Sequence, residues 1–477
     1  MADPATGPFR RWRTTLLATA VALAGCSVAM PRLEPPIPAQ WQHAMAAQAA
    51  TPTDLHSWWR AFDDPALDAL VDQALERNLD VAQAVERLRA ARTLQRREGT
   101  RYLPGLHART EQTIDPDASA SYLVSGLDAT WELGLFGRAQ GTRREAQAAL
   151  DAGAADLQAA RVSLVAEVVR NWIELRAAQQ QERLLSQIGA ARSRQLELLQ
   201  VRQRLQLAPA GSVDQAMAAS AQAQAALAAP RQAVDAAAQR LAVLLGQNHP
   251  DPAWLQAGPQ PQLGAWQLPG TPADLLRTRP EIARAEADVL RVAGELGVAH
   301  ADRFPSVGLG ASLIWATDLN NNRSHTVSNG LFSVGPLFDM PLFDWGMRAA
   351  AEHAKSHELK ASVLAYRQAV LQAVSEVETA LGTLQQQRQR EQHNLEAWQA
   401  LQRVDGTLQT RVKLKLESPL ALADGQLAAD QAAIELADAR ASRGLAYVAL
   451  FKALGGAPLP ADEAPGSKPE KSAEAAH

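Results

Sequence analysis

Two histidines, His353 and His357, stand four apart in helical text with Glu352 and Glu358 beside them. That spacing places both imidazoles on one helix face, where they could hold a metal. No Glu-x-x-His partner order accompanies them, and charged text at this spacing also reads as a wet helix face, so no metal site is assigned. Elsewhere the chain carries no Ser-His-Asp text, no phosphate-cradling glycine loop and no paired carboxylates for acid–base work. The sequence therefore reads as non-enzymatic and without a cofactor. If the protein moves anything, the energy comes from a partner.

The single cysteine excludes an internal disulfide framework and a Cys-based metal site. Its position says more: Arg10, Arg11 and Arg13 precede an apolar run from Leu16 to Ala24, and Leu23-Ala24-Gly25-Cys26 closes it. A basic start, a short apolar run and small residues before a cleavage point make residues 1–25 a secretory signal peptide. The last four residues are similar to a bacterial lipobox, in which Cys26 becomes the lipidated, palmitate-bearing first residue; a plain thiol is the alternative. Ser27, rather than Asp, follows it, as in lipoproteins released to the outer membrane. A net charge of -4 gives no electrostatic case for nucleic acid. No other stretch reaches the 18 apolar residues of a membrane helix, which leaves short alternating barrel strands as the only spanning text.

Residues 26–57 are Pro- and Ala-rich and read as a lipid-anchored tether. From Asp64-Pro65 a helix pattern runs to about Arg101 and stops at Pro104. The period then changes from 3.6 to 2. Leu106, Ala108 and Thr110 alternate with His107, Arg109 and Glu111, and after a turn at Asp115-Pro116-Asp117 the return strand sets Leu123, Leu127, Ala129 and Trp131 against Gly126, Asp128 and Thr130. Such strands fit a barrel wall with a watery lumen, and equally a soluble hairpin on a core. Some 65 alanine-dense residues follow as one helix, roughly 100 Å of rod, with Leu150, Leu157 and Leu164 at heptad spacing. It turns at Pro209-Ala210-Gly211, and a helix from Ser212 returns to Gly246 as an antiparallel hairpin.

After a crossing segment, 251–270, the text begins again. A helix from Pro272 ends near Pro305; Val307 to Trp315 alternate; Asn320-Asn321-Asn322-Arg323 is a polar loop; a weaker strand reaches Phe343; a long helix turns near Pro419 and returns to Gly455-Gly456. Pro104 and Pro305, Phe136 and Phe343, Pro209 and Pro419, and Gly246 and Gly455 keep nearly one offset. The chain thus reads as internally duplicated, 58–250 and 271–456, followed by a disordered tail at 457–477. Four strands cannot close a barrel, since bacterial barrels begin at eight, and an open edge in lipid leaves backbone groups unpaired. Copies must therefore share the sheet. Three chains give twelve strands, a mainly α trimeric tube with a membrane β-barrel at one end and coiled helical hairpins at the other.

The residues carry a resemblance. Trp58-Trp59 through Leu67, Trp131-Glu132-Leu133-Gly134-Leu135-Phe136-Gly137, Arg279-Pro280-Glu281-Ile282, Phe304-Pro305-Ser306 and Leu450 to Gly456 are similar to outer-membrane factors of the TolC family, in their lipoprotein branch. The resemblance implies a homotrimeric exit duct of a tripartite efflux system. Such a duct is lipid-anchored in the outer membrane, reaches into the periplasm, and is served by a periplasmic adaptor and an inner-membrane pump, of the RND type ahead of the ABC type. It would conduct small toxic compounds passively. A duct for type I protein secretion is the alternative, and a periplasmic coiled-coil scaffold lipoprotein is the reading from another class. The resemblance also implies a periplasmic gate near the hairpin tips. It assigns Asp424 to that gate, with Ala421 at a usually acidic position, and Ser212 and Asp214 in the first hairpin. Pro209, Gly211 and Pro419 become tips facing the adaptor. Trp131 and Trp315 are candidates for the aromatic girdle at the membrane surface, or for ordinary core.

Overall fold

A computed structural model describes residues 28–34, 37–43, 52–113, 122–268, 270–318 and 330–459. The signal segment, Cys26, the turn at Asp115–Asp117, the loop at Asn320–Arg323 and residues 460–477 of the expected tail lie outside them.

The first long helix of the sequence reading is two helices, α1 (Pro65–Arg77) and α2 (Leu79–Arg97). The Asp64 carboxylate caps α1 by accepting from the Ala66 and Leu67 amides, with Pro65 at the first helical position. Asn78 then leaves the helical region, and its side-chain oxygen accepts from the Asp80 and Val81 amides. Apolar spacing continues across this break, so period alone cannot show it. The second half breaks likewise, into α6 (Pro272–Arg277) and α7 (Pro280–Ala301), where Pro280 has no amide hydrogen to continue a helix.

Strands β1 (Gly105–Thr113), β2 (Tyr122–Glu132), β3 (Ser306–Asp318) and β4 (Leu331–Asp339) form one antiparallel sheet in the order β1-β2-β3-β4. Both sequence hairpins are therefore present, joined through β2 and β3, with Thr130 opposite Gly310. From the sheet run α3 (Arg138–Arg204) and α8 (Met347–Lys413), each of 67 residues. The helix returning from α8 is α9 (Pro419–Ala453), in one piece. The helix returning from α3 is two, α4 (Ser212–Ala225) and α5 (Ala228–Leu244), because Pro230 cannot donate the bond that would tie it to the turn before.

The described chain divides into two compact units. One gathers the sheet with residues 87–154 and 283–369. There α3 and α7 approach so closely that a Cβ on Gly141 would stand 2.7 Å from the Gly294 carbonyl oxygen, and the reverse is equally true. Gly141 costs α3 some propensity and gains it this contact.

Among the described residues, the other unit gathers 37–86, 155–282 and 370–459 around an aromatic core. Trp58 is stacked on Phe451 at 5.5 Å, Trp266 of the crossing segment meets Tyr447 edge-on, and the Tyr447 hydroxyl donates to the Trp58 carbonyl at 3.0 Å. Burial pushes the Tyr447 phenol above its ordinary range. The Trp58 indole donates to the Gly456 carbonyl, and Ala457 just beyond is fully buried, so the second half stays tied down past Gly456.

The two halves close on themselves in the same way. Gly246 (φ 67) and Gly455 (φ 75) end α5 and α9, each in the left-handed conformation that suits glycine. Each also lies against the break of its own half: an added Cβ would meet the Arg77 carbonyl oxygen at 2.9 Å in one case and that of Thr278 at 2.9 Å in the other. Side chains repeat the tie, since the Asn78 amide donates to the Leu244 carbonyl at 3.0 Å and the Thr278 hydroxyl to that of Leu454 at 3.0 Å.

Candidate functional site

Alternation sorts the sheet into two faces, because residues opposite one another share a side. Leu106 and Ala108 on β1, Leu127, Ala129 and Trp131 on β2, Leu309, Leu313 and Trp315 on β3, and Phe332 and Val334 on β4 make one side nearly all apolar. The other side carries His107, Arg109, Glu111, Asp128, Glu132, Ser312 and Ser333. Arg109 pairs with Asp128 at 3.4 Å, and the hydroxyls of Ser312 and Ser333 meet at 2.8 Å. Phe332 and Val334 are exposed at 69% and 68%. Among the described residues no core covers this side, and an apolar side left this open marks a protein or membrane contact.

Trp131 and Trp315 both stand on the apolar side. Trp131 is opposite Leu309, six residues from Trp315 along β3, so the two indoles sit about 20 Å apart along the strands. The Trp131 indole donates to the Tyr102 carbonyl at 2.8 Å, which fixes it at the helical end of the sheet, while Trp315 stands toward the loops. One indole thus stands at each end of the apolar side.

Where strands give way to helices, a cavity of about 1020 Å³ opens beside the polar side, lined among others by Arg101, His107, Glu132, Arg138, Asp302 and Arg348. Arg138 pairs with Asp302 and lies 3.4 Å from Glu132, and Arg348 donates to the Asp302 carbonyl at 3.3 Å. Asp344 begins α8, accepting from the Gly346 and Arg348 amides at 3.0 Å each, and those bonds hold its carboxyl below the usual range. The cavity lining carries side chains of both charge signs.

At the hairpin turns the side chains of interest are spread out. Gly211 (φ 78) precedes α4, and the Ser212 hydroxyl folds back to donate to the Pro209 carbonyl at 2.8 Å. Asp214 stands exposed in the first turn of α4, where the helix dipole favours it. Across the second turn, Ser418 accepts from the Ala421 amide and Pro419 takes the first helical position. Asp424, one turn further on, accepts from the Gln195 side-chain amide of α3 at 2.8 Å. The structure thus joins Asp424 to the first hairpin through Gln195, while the bonds it gives Ser212 stay within its own turn. No local pattern in the sequence marks Gln195, since its partner is 229 residues away.

His353 and His357 are both exposed. The acids beside them are engaged: Glu352 accepts from His300 at 2.6 Å and from Arg303, and Glu358 from Lys355 at 2.7 Å. Partial burial raises the Glu352 pKa, and the bonds from His300 and Arg303 outweigh that and hold it below the usual range. Among the described residues no group of three His, Cys, Asp or Glu side chains is placed to hold a metal.

A family model described as outer membrane efflux protein matches residues 70–247 and 271–456, well over half of the chain. The chain belongs to that family. It is 30% identical to the pyoverdine export outer membrane protein OpmQ of Pseudomonas aeruginosa, over 88% of this chain and 91% of the relative. Its structure is similar to that of the outer-membrane channel OprN, with a TM-score of 0.77, 28% identity, and coverage of 91% of this chain and 100% of the other. It is also similar to the open state of the MtrE outer membrane channel of Neisseria gonorrhoeae, with a TM-score of 0.76, 25% identity, and coverage of 90% and 98%. The protein is an efflux exit duct of the outer membrane and not an enzyme. Family members are the outer-membrane components of tripartite systems with a periplasmic adaptor and an inner-membrane pump. A periplasmic scaffold that never spans the membrane is thereby set aside.

Proposed function

We propose that three copies of this chain close a twelve-stranded barrel, and that the duct passively conducts small toxic compounds delivered by an adaptor and an RND-type pump. The observation that carries it is the four-stranded sheet with one bare apolar side, one polar side, and open edges at β1 and β4. Such a sheet in lipid must find strands for both edges, and a cyclic trimer supplies them. The OpmQ relative, named for pyoverdine export, supports a small-molecule cargo over secreted protein. In this reading Cys26 carries the lipid anchor after removal of residues 1–25, and residues 26–57 tether it. The halves 58–250 and 271–456 are duplicated units joined by 251–270. Pro209, Gly211 and Pro419 face the adaptor. Trp131 and Trp315 belong to the aromatic girdle at the membrane surface.

Asp424 is proposed as the gate residue: three symmetry-related carboxylates near an axis repel one another and bind cations. Its bond to Gln195 adds a second way to hold the turn, by tying the two hairpins together. Single-channel recordings of the purified protein in planar bilayers separate the two. The wild type is expected to conduct and to be blocked by cations. Asp424→Asn removes the charge and keeps an acceptor for Gln195, so cation block falls while closure persists. Asp424→Ala loses both, and leak rises as well. A protein that forms no pore at any concentration overturns the duct reading, and unaltered block in both variants removes Asp424 from the gate.

A further inference from the structure

Just beyond the sheet, α3 has two flanks of different character. Arg138 opens the helix and lies 3.4 Å from Glu132, on the polar side of the strands. With 3.6 residues to a turn, Gln140, Arg143 and Arg144 stand about 140–240° round the helix from Arg138, on the flank away from that polar side. The tether marks the same flank, because the Arg144 guanidinium donates to the Val28 carbonyl at 2.6 Å. Val28 follows Cys26 by two residues, which span at most about 7 Å. A lipid anchor on Cys26 therefore enters the membrane beside this flank.

A cavity of about 460 Å³ opens there, lined among others by Glu98 in the turn after α2, by Gln140, Arg143 and Arg144 of α3, and by Leu290 of α7. Arg143 lies five residues into α3, about 8 Å along the helix from its start. The headgroup layer beside the apolar core of a bilayer is about 5–8 Å deep. The cavity thus stands at the height of the periplasmic headgroups, next to the point where the anchor enters. Two of its side chains want a ligand. Arg143 is exposed and makes no ion pair among the described residues, so its planar fork is open to a phosphodiester, which arginine binds through two parallel bonds. Glu98 Oε1 is buried and accepts from no donor among the described residues, a condition that native proteins leave to few polar atoms.

Resting on the lipid-anchor reading of Cys26, we propose that this cavity binds the headgroup of phosphatidylethanolamine from the periplasmic leaflet, with Arg143 on the phosphodiester and Glu98 accepting from the ammonium. Phosphatidylglycerol brings the phosphate without a cation for Glu98. Phosphatidylcholine brings a cation whose nitrogen carries three methyl groups and no hydrogen to donate. Only the ethanolamine headgroup meets both demands, a guanidinium partner for its phosphate and an N–H donor for the orphan oxygen. The Gln140 amide adds a second donor toward the phosphate, and Leu290 gives the glycerol an apolar neighbour. A headgroup held here fixes the height of α2 and α3 in the membrane at the place where Arg144 already holds the tether.

Native mass spectrometry of the full-length protein, purified in detergent and titrated in turn with phosphatidylethanolamine, phosphatidylglycerol and phosphatidylcholine of the same acyl chains, tests the site. One phosphatidylethanolamine per chain is expected to be retained, and the other two lipids about tenfold less, the worth of one hydrogen bond to a charged group. Arg143→Ser should lower retention of phosphatidylethanolamine about tenfold. Glu98→Met, which fills similar space without an acceptor, should erase its preference over phosphatidylglycerol, while Arg109→Ser on the polar side of the sheet changes neither. Equal retention of the three lipids by the wild type, or an unchanged preference in Glu98→Met, overturns the proposal. Free phosphoethanolamine that displaces the lipid at equal concentration overturns it as well, by making the site one for a soluble compound. The same spectra weigh the chain and so separate this site from the anchor. An acylated chain with no lipid preference removes the site alone, whereas an unacylated chain that keeps the preference removes the anchor alone.

Discussion

The two hairpins are built to one plan and finished differently. Both outgoing helices end on a left-handed residue other than glycine, Gln206 (φ 58) and Lys415 (φ 58), with the same pair of closing bonds. The Gln206 amide donates to the Gln203 carbonyl and the Leu207 amide to that of Arg202; Lys415 to Val412 and Leu416 to Arg411 repeat them. Beyond that point the second turn is fixed by its own residues, with Ser418 as cap and Pro419 behind it, leading into an unbroken helix of 35 residues. The first turn depends on Gly211, has no side-chain cap, and leads into a 14-residue helix that buries only Ala216 before Pro230 interrupts it. Local sequence therefore specifies one turn fully and leaves the other to its surroundings. The turn before Asp424 carries its own side-chain cap, whereas α4 has none and buries a single residue.

The comparison can be broken most severely at the far ends, where the halves are alike. Gly455→Ala forces a left-handed alanine, costing about 1–2 kcal/mol, and drives its Cβ to 2.9 Å from the Thr278 oxygen and 3.2 Å from the Arg279 Cα. Gly246→Ala meets only Arg77 backbone, at 2.9 and 3.8 Å. Both variants should lose stability in thermal melts of the detergent-solubilised protein, Gly455→Ala by more. Equal losses would mean that the strained backbone alone decides the cost.

At the turns the halves should diverge. Ser418→Ala removes the cap bond to Ala421 and should cost about 1 kcal/mol, with no counterpart to remove at Gly211. The same asymmetry should appear in hydrogen exchange of the wild type. Amides of Ser212–Ala225 are expected to exchange faster than those in the first turns of α9, because few buried contacts resist their opening. Equal protection would mean that the missing cap and the scant burial do not govern how α4 opens.

Much of this was legible because the physics was local. Alternation from Leu123 to Trp131 shows in the text since one side faces water, and the two 67-residue helices show because nothing stronger than a lone glycine interrupts them. The breaks at Asn78 and Pro280 were missed in favour of the apolar period that runs through both, although an Asx cap and a proline each stood there to be read. Pairing Phe136 with Phe343 was two residues short. The shared left-handed step aligns it with Trp345, and φ angles are not written in side-chain types. The bond from Gln195 to Asp424 and the stack of Phe136 on Phe304 join segments far apart in the chain, and only the folded registers bring them together.

The smallest expected effect tests whether the two long helices really end alike. Gln206 and Lys415 hold φ near 58, a conformation that costs a side-chain-bearing residue and not glycine. Both amides and those that follow already make the closing bonds, so replacement with glycine leaves those bonds in place. Gln206→Gly and Lys415→Gly should each stabilise by up to about 1 kcal/mol, the released strain being partly offset by the greater freedom of an unfolded glycine. If Lys415→Gly gains less than Gln206→Gly, the Lys415 side chain holds the second turn beyond its backbone, as expected of a cation at a helix C-terminus. Raising the salt concentration should then narrow the gap, because that attraction is screened while backbone strain is not.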